Sequence, residues 1–268
     1  MNIWVNLLKK EIRLGVPAFI MPVAGFLIIC AIAGFIGQRN GFMWEALIGV
    51  VVLAIGLQAF YLAYYMFFSL QAEHKKLHLW LHNPLPAYGL LSAKLAASII
   101  SMVITTVIVA AVGLIAITQS ELWGELSSYI TFAQIAELGF YGGFTLYLFA
   151  LSAVVWVMFF WMIFLLLSRV FHSFLSFVLT AISFIALFSF IGWFGNTSVH
   201  AALTEWGEIE LGQMLQSIDF QTSLETGTDV TTQMGSLSFY TGTLLFETIL
   251  ALALFFIACW MLDRKVEV

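Results

Sequence analysis

The sequence predicts an all-α, polytopic membrane protein of six transmembrane helices, and three observations carry that prediction. The first is composition: of 268 residues, 62% are hydrophobic and only 9% charged, against roughly 25% charged in a soluble domain. The mean hydropathy of +1.02 and the 26 Phe and nine Trp exceed what one soluble core could bury, so lipid must cover much of the apolar surface. The second is a set of six apolar runs, each near the ~20 residues that a helix needs to span the hydrocarbon. The third is a lopsided placement of Lys and Arg in the connections between them.

The runs fall at Val16 to Gly37, Trp44 to Leu70, Leu95 to Thr118, Gly139 to Leu167, Phe174 to Phe194 and Gly242 to Met261. The second and fourth are long enough to tilt or to continue as helix beyond the membrane. Lys9, Lys10 and Arg13 precede the first run, Lys75, Lys76 and Lys94 separate the second from the third, Arg169 follows the fourth, and Arg264 and Lys265 follow the sixth. With six crossings all of these lie on one side. The other side holds Arg39 alone among basic residues, with Glu121, Glu125, Glu137, Glu205, Glu208, Glu210, Asp219, Glu225 and Asp229. Short basic loops stay cytoplasmic, so both termini are expected inside and the chain in the plasma membrane. The first run is too long for the apolar region of a signal peptide, and no clear small-residue cleavage site follows it.

The connections have character of their own. In residues 1–15, Trp4, Leu7, Leu8, Ile12 and Leu14 interleave with Lys9, Lys10, Glu11 and Arg13, the pattern of an amphipathic helix on the inner membrane surface. Residues 71–94 form the longest inner connection. Glu73 to His82 fits about two helical turns, Asn83, Pro84 and Pro86 end them, and a helix can restart at Tyr88. Leu77, Trp80 and Leu81 share one side of that element and form an apolar patch that wants a partner, lipid headgroups or another protein. Residues 195–241 form an outer loop without Lys or Arg, in which Val199 to Leu215 fits an amphipathic helix with Leu203, Trp206, Ile209 and Leu211 towards the membrane.

No phosphate-binding loop, H-E-x-x-H or G-x-S-x-G occurs, so no catalytic residue is assigned and ATP hydrolysis by this chain is not expected. His74, His78 and His82 recur every fourth residue, as two-histidine metal sites do, but no acid or Cys is placed to complete a site and no metal is assigned. Glu247, about two turns into the sixth run, is the one acid well inside a span and a candidate pathway residue. Gly139 and Gly143 have the spacing that lets helices approach closely, and Pro17 and Pro22 would bend or cap the first span. Cys30 and Cys259 lie in apolar runs and imply no disulfide framework.

The order of parts resembles the permease subunits of ABC-2 type exporters in the version common in Firmicutes. Three stretches carry the resemblance: the start NLLKKEIRL, the loop EHKKLHLWLHNPLPAYGLLSAKL and the tail CWMLDRKVEV. Where the family more often has Pro-Val-Ser-Arg, this chain has Pro84, Leu85, Pro86 and Ala87, without the basic residue. The resemblance implies a coupling helix within Glu73 to Tyr88 that docks on a separate ABC ATP-binding subunit, with Glu73, Leu77, Trp80, Leu81 and Pro84 at the contact. It implies that ATP and Mg bind to that partner, that a second permease copy or a sister permease completes the assembly, and that no cofactor binds here. An apolar pathway favours an amphipathic or lipid-like cargo such as a peptide antibiotic, a lipid precursor or a drug. The alternatives from other classes are a membrane-embedded metal-dependent enzyme using the histidine face, and a non-transporting membrane scaffold or immunity protein. Nothing in the sequence points to nucleic acid.

Overall fold

A computed structural model describes residues 3–74, 86–126, 132–210 and 238–266 of the chain. It is a helical bundle. α1 (Ile3–Asn40) carries the whole N-terminal region and the first apolar run as one unbroken helix of 38 residues. At ~1.5 Å per residue it is about 57 Å long, nearly twice the ~30 Å of the hydrocarbon. The amphipathic entry segment and the first span are therefore one continuous element, with Pro17 and Pro22 inside it. Asn40 closes it by donating from Nδ2 to the Ile36 carbonyl at 2.8 Å, and Gly41, at φ +81°, turns the chain where a side chain would strain.

The second run is two helices, α2 (Met43–Gln58) and α3 (Tyr61–His74), bent by 56° at Ala59 and Phe60. Met43 follows the end of α1, whereas Glu73 meets Lys10 near its start. The pair thus crosses the length of α1 and counts as one broken span. α4 (Ala87–Gln119), a short α5 (Glu121–Leu126), α6 (Phe132–Val170) and α7 (Ser173–Gly195) follow. α9 (Thr241–Met261) returns the chain, and Leu262–Val266 ends it in a π-helical turn. Among the described residues five single helices are long and apolar enough to span, six elements with the bent pair. The helix before Leu95 starts at Ala87, close to the restart expected at Tyr88.

Between α7 and α9 the structure corrects the reading of Val199 to Leu215 as one helix. α8 is short (Ser198–Thr204), and β1 (Glu208–Glu210) pairs antiparallel with β2 (Ser238–Tyr240), Ile209 opposite Phe239. The reason is local. Gly207 takes φ +66°, which ends helical geometry, and the Trp206 indole donates back to the Leu203 carbonyl at 2.8 Å. Of the expected membrane-facing residues, Leu203 is exposed on α8, Ile209 is in β1, and Leu211 lies outside the described residues.

The core is narrow because these helices have two solvents. Leu62, Tyr65 and Met66 of α3 interlock with Leu91 and Met102 of α4 and with Met158 of α6. The outward faces carry Leu27, Ile28, Leu53, Val107, Phe177 and Ile249, all exposed, which is the surface that acyl chains would cover. α7 stands aside, with Ser176 its one buried residue. Its seam with α6 is aromatic: Trp156 meets Phe188 at 5.1 Å and Phe160 meets Phe184 at 5.1 Å, centroid to centroid. The glycine contacts fall elsewhere than expected. No atom lies within 4 Å of a Cβ built on Gly139 or Gly143, whereas a Cβ on Gly113 would come within 2.9 Å of Val51, where α2 and α4 touch.

Candidate functional site

The helices sort charge by end. Lys9, Lys10, Arg13, Lys94, Arg169 and Arg264 gather at one end with both ends of the described chain, and Arg39 stands at the other beside Glu45, Glu121, Glu205 and Glu208. Arg39 rests on the Phe35 ring, 4.5 Å from its centroid.

At the basic end the bundle buries an ion network. Residues Leu7, Glu11, Gly15 and Ala18 form the inward stripe of α1, at three- and four-residue spacing, so an acid occupies a position otherwise held by small or apolar residues. The facing stripe of α3 is Tyr65, Ser69 and Glu73. The two helices are pressed together where a Cβ on Gly15 would fall inside the Tyr65 phenol. Lys94, on the second turn of α4, reaches between them and is 1% exposed. Its Nζ donates to Glu11 Oε2 at 2.7 Å and to Ser69 Oγ at 2.9 Å. It also lies 2.8 Å from Glu73 Oε2, an ion-pair contact without a directed hydrogen bond. The Ser69 hydroxyl in turn donates a hydrogen bond to Glu11 Oε2 at 3.3 Å. Lys10, half in solvent, donates to Glu73 Oε1 at 3.0 Å and stands 3.6 Å from Glu11 Oε1.

Two basic and two acidic side chains balance, and a buried charge is tolerated when it is paired in this way. The network joins α1, α3 and α4. It also fixes one root of the connection 75–85, because Glu73 is the last residue but one of α3. The other root is held from the far end of the sequence. The Ala87 amide, the first of α4, donates to Asp263 Oδ1 at 2.9 Å, a cap supplied across the fold by the turn after α9.

The predicted residues divide accordingly. Glu73 is buried, 7% exposed, and engaged by Lys94 and Lys10. Leu77, Trp80, Leu81 and Pro84 lie outside the described residues, as do His78 and His82 and the side chain of His74. Among the described residues no group of three metal-ligating side chains converges. Glu247 is exposed on the outer face of α9, two turns from its start, not turned into the bundle. Sequence reasoning missed Glu11, Ser69 and Lys94 as partners. Their signal was present: Lys94 sits in the apolar stretch Ala93 to Ala97, and Ser69 and Glu73 share a helix face.

A second feature is a cleft of about 830 Å³ between α3, α6 and α7, walled by Phe67, Phe149, Trp156, Phe160, Phe177 and Phe188. Gln71, Ser152, Ser173 and Thr180 are its polar members, and among the described residues no charged side chain lines it. Its size and apolar lining are those of small-molecule sites.

Comparison with protein-family models, with curated proteins and with solved structures gives no match. The functional reading therefore rests on the residues and their geometry.

Proposed function

We propose that the chain is the membrane-spanning permease subunit of an ATP-driven ABC exporter, placed in the plasma membrane with its basic end and both termini cytoplasmic. The observation that carries this reading is the double clamp on the connection 75–85: Glu73 tied to Lys94 and Lys10 at one root, Ala87 capped by Asp263 at the other. A load applied to that loop passes at once into α1, α3, α4 and the end of α9. Anchored roots of this kind suit a loop that receives movement from a partner. The apolar residues Leu77, Trp80 and Leu81 give the loop something to dock with, and the lack of a phosphate-binding loop in the sequence supports a partner that carries ATP and Mg.

In this account two permeases and two ATP-binding subunits assemble. Closure of the ATP-binding subunits moves the loops together, and the spans exchange inward for outward access as near-rigid bodies. The uncharged aromatic cleft between α3, α6 and α7 favours an amphipathic or lipid-like cargo over an inorganic ion. The test is copurification from the native membrane in mild detergent, with Leu77→Asp and Trp80→Asp prepared alongside. A P-loop ATPase that accompanies the wild type and is lost from folded variants supports the reading. Absence of any such ATPase removes the energy source, and turnover that depends on His74, His78 and His82 with bound metal would favour an enzyme instead.

A further inference from the structure

The break in the second span lies at depth. Gln58 is 15 residues beyond Met43, or about 22 Å along α2 at ~1.5 Å per residue, well inside a hydrocarbon layer of ~30 Å. There the backbone tightens, with the Ala59 amide donating to the Gly56 carbonyl at 3.4 Å and the Phe60 amide to the Leu57 carbonyl at 3.1 Å. Irregular backbone at membrane depth is tolerated where it is buried in protein or lines a cavity. A cavity is present. It measures about 370 Å³ between α1, α2, α3 and α4, with Pro22, Phe26, Leu53, Leu57, Ile108 and Val109 among its walls.

Four polar side chains line it: Gln58, Tyr61 and Thr105, which are 6%, 6% and 4% exposed, and Tyr64, which is 38% exposed. Gln58 Nε2 donates to Thr105 Oγ1 at 3.1 Å, and the Tyr61 hydroxyl shares a 2.7 Å hydrogen bond with Ser101. A primary amide has two N–H donors. One is used, and the second has no partner among the described residues. An amide buried in hydrocarbon with a donor unused is costly, and a ligand that offers an acceptor removes the cost. Among the described residues no charged side chain lines the cavity, so a charged group would be unpaired there.

We propose that this cavity binds a neutral, carbonyl-bearing amphipath that enters from the bilayer, its apolar body against α1 and α4 and its carbonyl oxygen accepting from Gln58 Nε2. The site goes beyond the exporter reading and needs no ATP-binding partner. Gly25 lines it too, and nothing lies within 4 Å of a Cβ built there. Gly25→Leu thus puts a side chain into that open space and narrows the cavity while leaving Gln58 and its Thr105 contact in place.

The test uses the full chain in lipid nanodiscs with two photoactivatable probes, the methyl ester of a diazirine fatty acid and the matching diazirine hydrocarbon without the ester. Adducts are mapped by mass spectrometry. The ester probe is expected to label the segments around Phe26, Leu53 and Ile108. Gln58→Leu should reduce that labelling about fivefold, the worth of one neutral hydrogen bond, down to the level of the hydrocarbon probe. Gly25→Leu should reduce both. Repeating the measurement in ether-lipid and ester-lipid nanodiscs separates the sources: lower labelling in ester lipid identifies a resident bilayer lipid as occupant, and equal labelling identifies a dispersed amphipath. Labelling unchanged in both variants, or spread evenly over lipid-facing segments such as α7, overturns the proposal.

Discussion

Replacing Lys94 by Met is the sharpest perturbation of the fold. Met nearly matches the length of the lysine side chain, so the change removes a charge more than a volume. It strips three contacts from a group that is 1% exposed: 2.7 Å to Glu11, 2.8 Å to Glu73 and 2.9 Å to Ser69. Two carboxylates then remain with Lys10 as their shared counter-charge, at 3.0 Å and 3.6 Å, and that lysine is half in solvent. Breaking a buried ion pair from one side costs ~3–5 kcal/mol, because the group left behind is still desolvated. The double variant Lys94→Met with Glu11→Leu leaves the Lys10–Glu73 pair intact and neutral, so it should recover at least half of the loss. The assay is reversible unfolding in mixed detergent micelles titrated with SDS, followed by tryptophan fluorescence. A single-variant cost below ~1 kcal/mol would refute the reasoning, since that is the value of an exposed pair. So would a double variant worse than the single.

Other expectations follow from the same geometry. Asp263→Ala removes the cap on α4 and should cost about 1 kcal/mol by the same unfolding titration, with faster amide exchange confined to the first turn after Ala87. Gly207→Ala forces a side chain into φ +66° with a Cβ only 3.0 Å from Thr241, and should cost about 1–2 kcal/mol and loosen the β1–β2 ribbon, read by amide exchange at Glu208 to Glu210. Glu247→Gln should leave unfolding unchanged because the side chain is exposed; if it serves the transport pathway, ATP-driven flux in proteoliposomes falls while stability does not. Leu77→Asp and Trp80→Asp should each remove the ATP-binding partner at least tenfold in quantitative mass spectrometry, without shifting the unfolding of the membrane chain.

What was legible in the sequence is what depends on periodicity and charge. Six apolar runs and the one-sided Lys and Arg residues give the helical spans and their common end, because length and solvation alone decide them. The bend at Ala59 and Phe60 was hidden, since the run from Trp44 to Leu70 is apolar but for Glu45, Gln58 and Ser69 and has no proline to mark a break. The outer helix was misjudged at Gly207, where one left-handed glycine outweighs an amphipathic pattern that would otherwise continue. The ion network was visible only in part. Lys94 looked like a basic residue at a span entrance, and nothing in a single sequence says that Glu11, 83 residues earlier, would be its partner. Long-range pairing of charges is a property of helix packing, which here depends on the close approach at Gly15.

The most direct test of the exporter reading is to replace Trp80 by benzoylphenylalanine, irradiate intact cells and identify the adduct. The account predicts a covalent product with a P-loop ATP-binding chain, weaker when Lys94→Met loosens the root of the loop at Glu73. An adduct formed with lipid alone, or with proteins that bind no nucleotide, would contradict it.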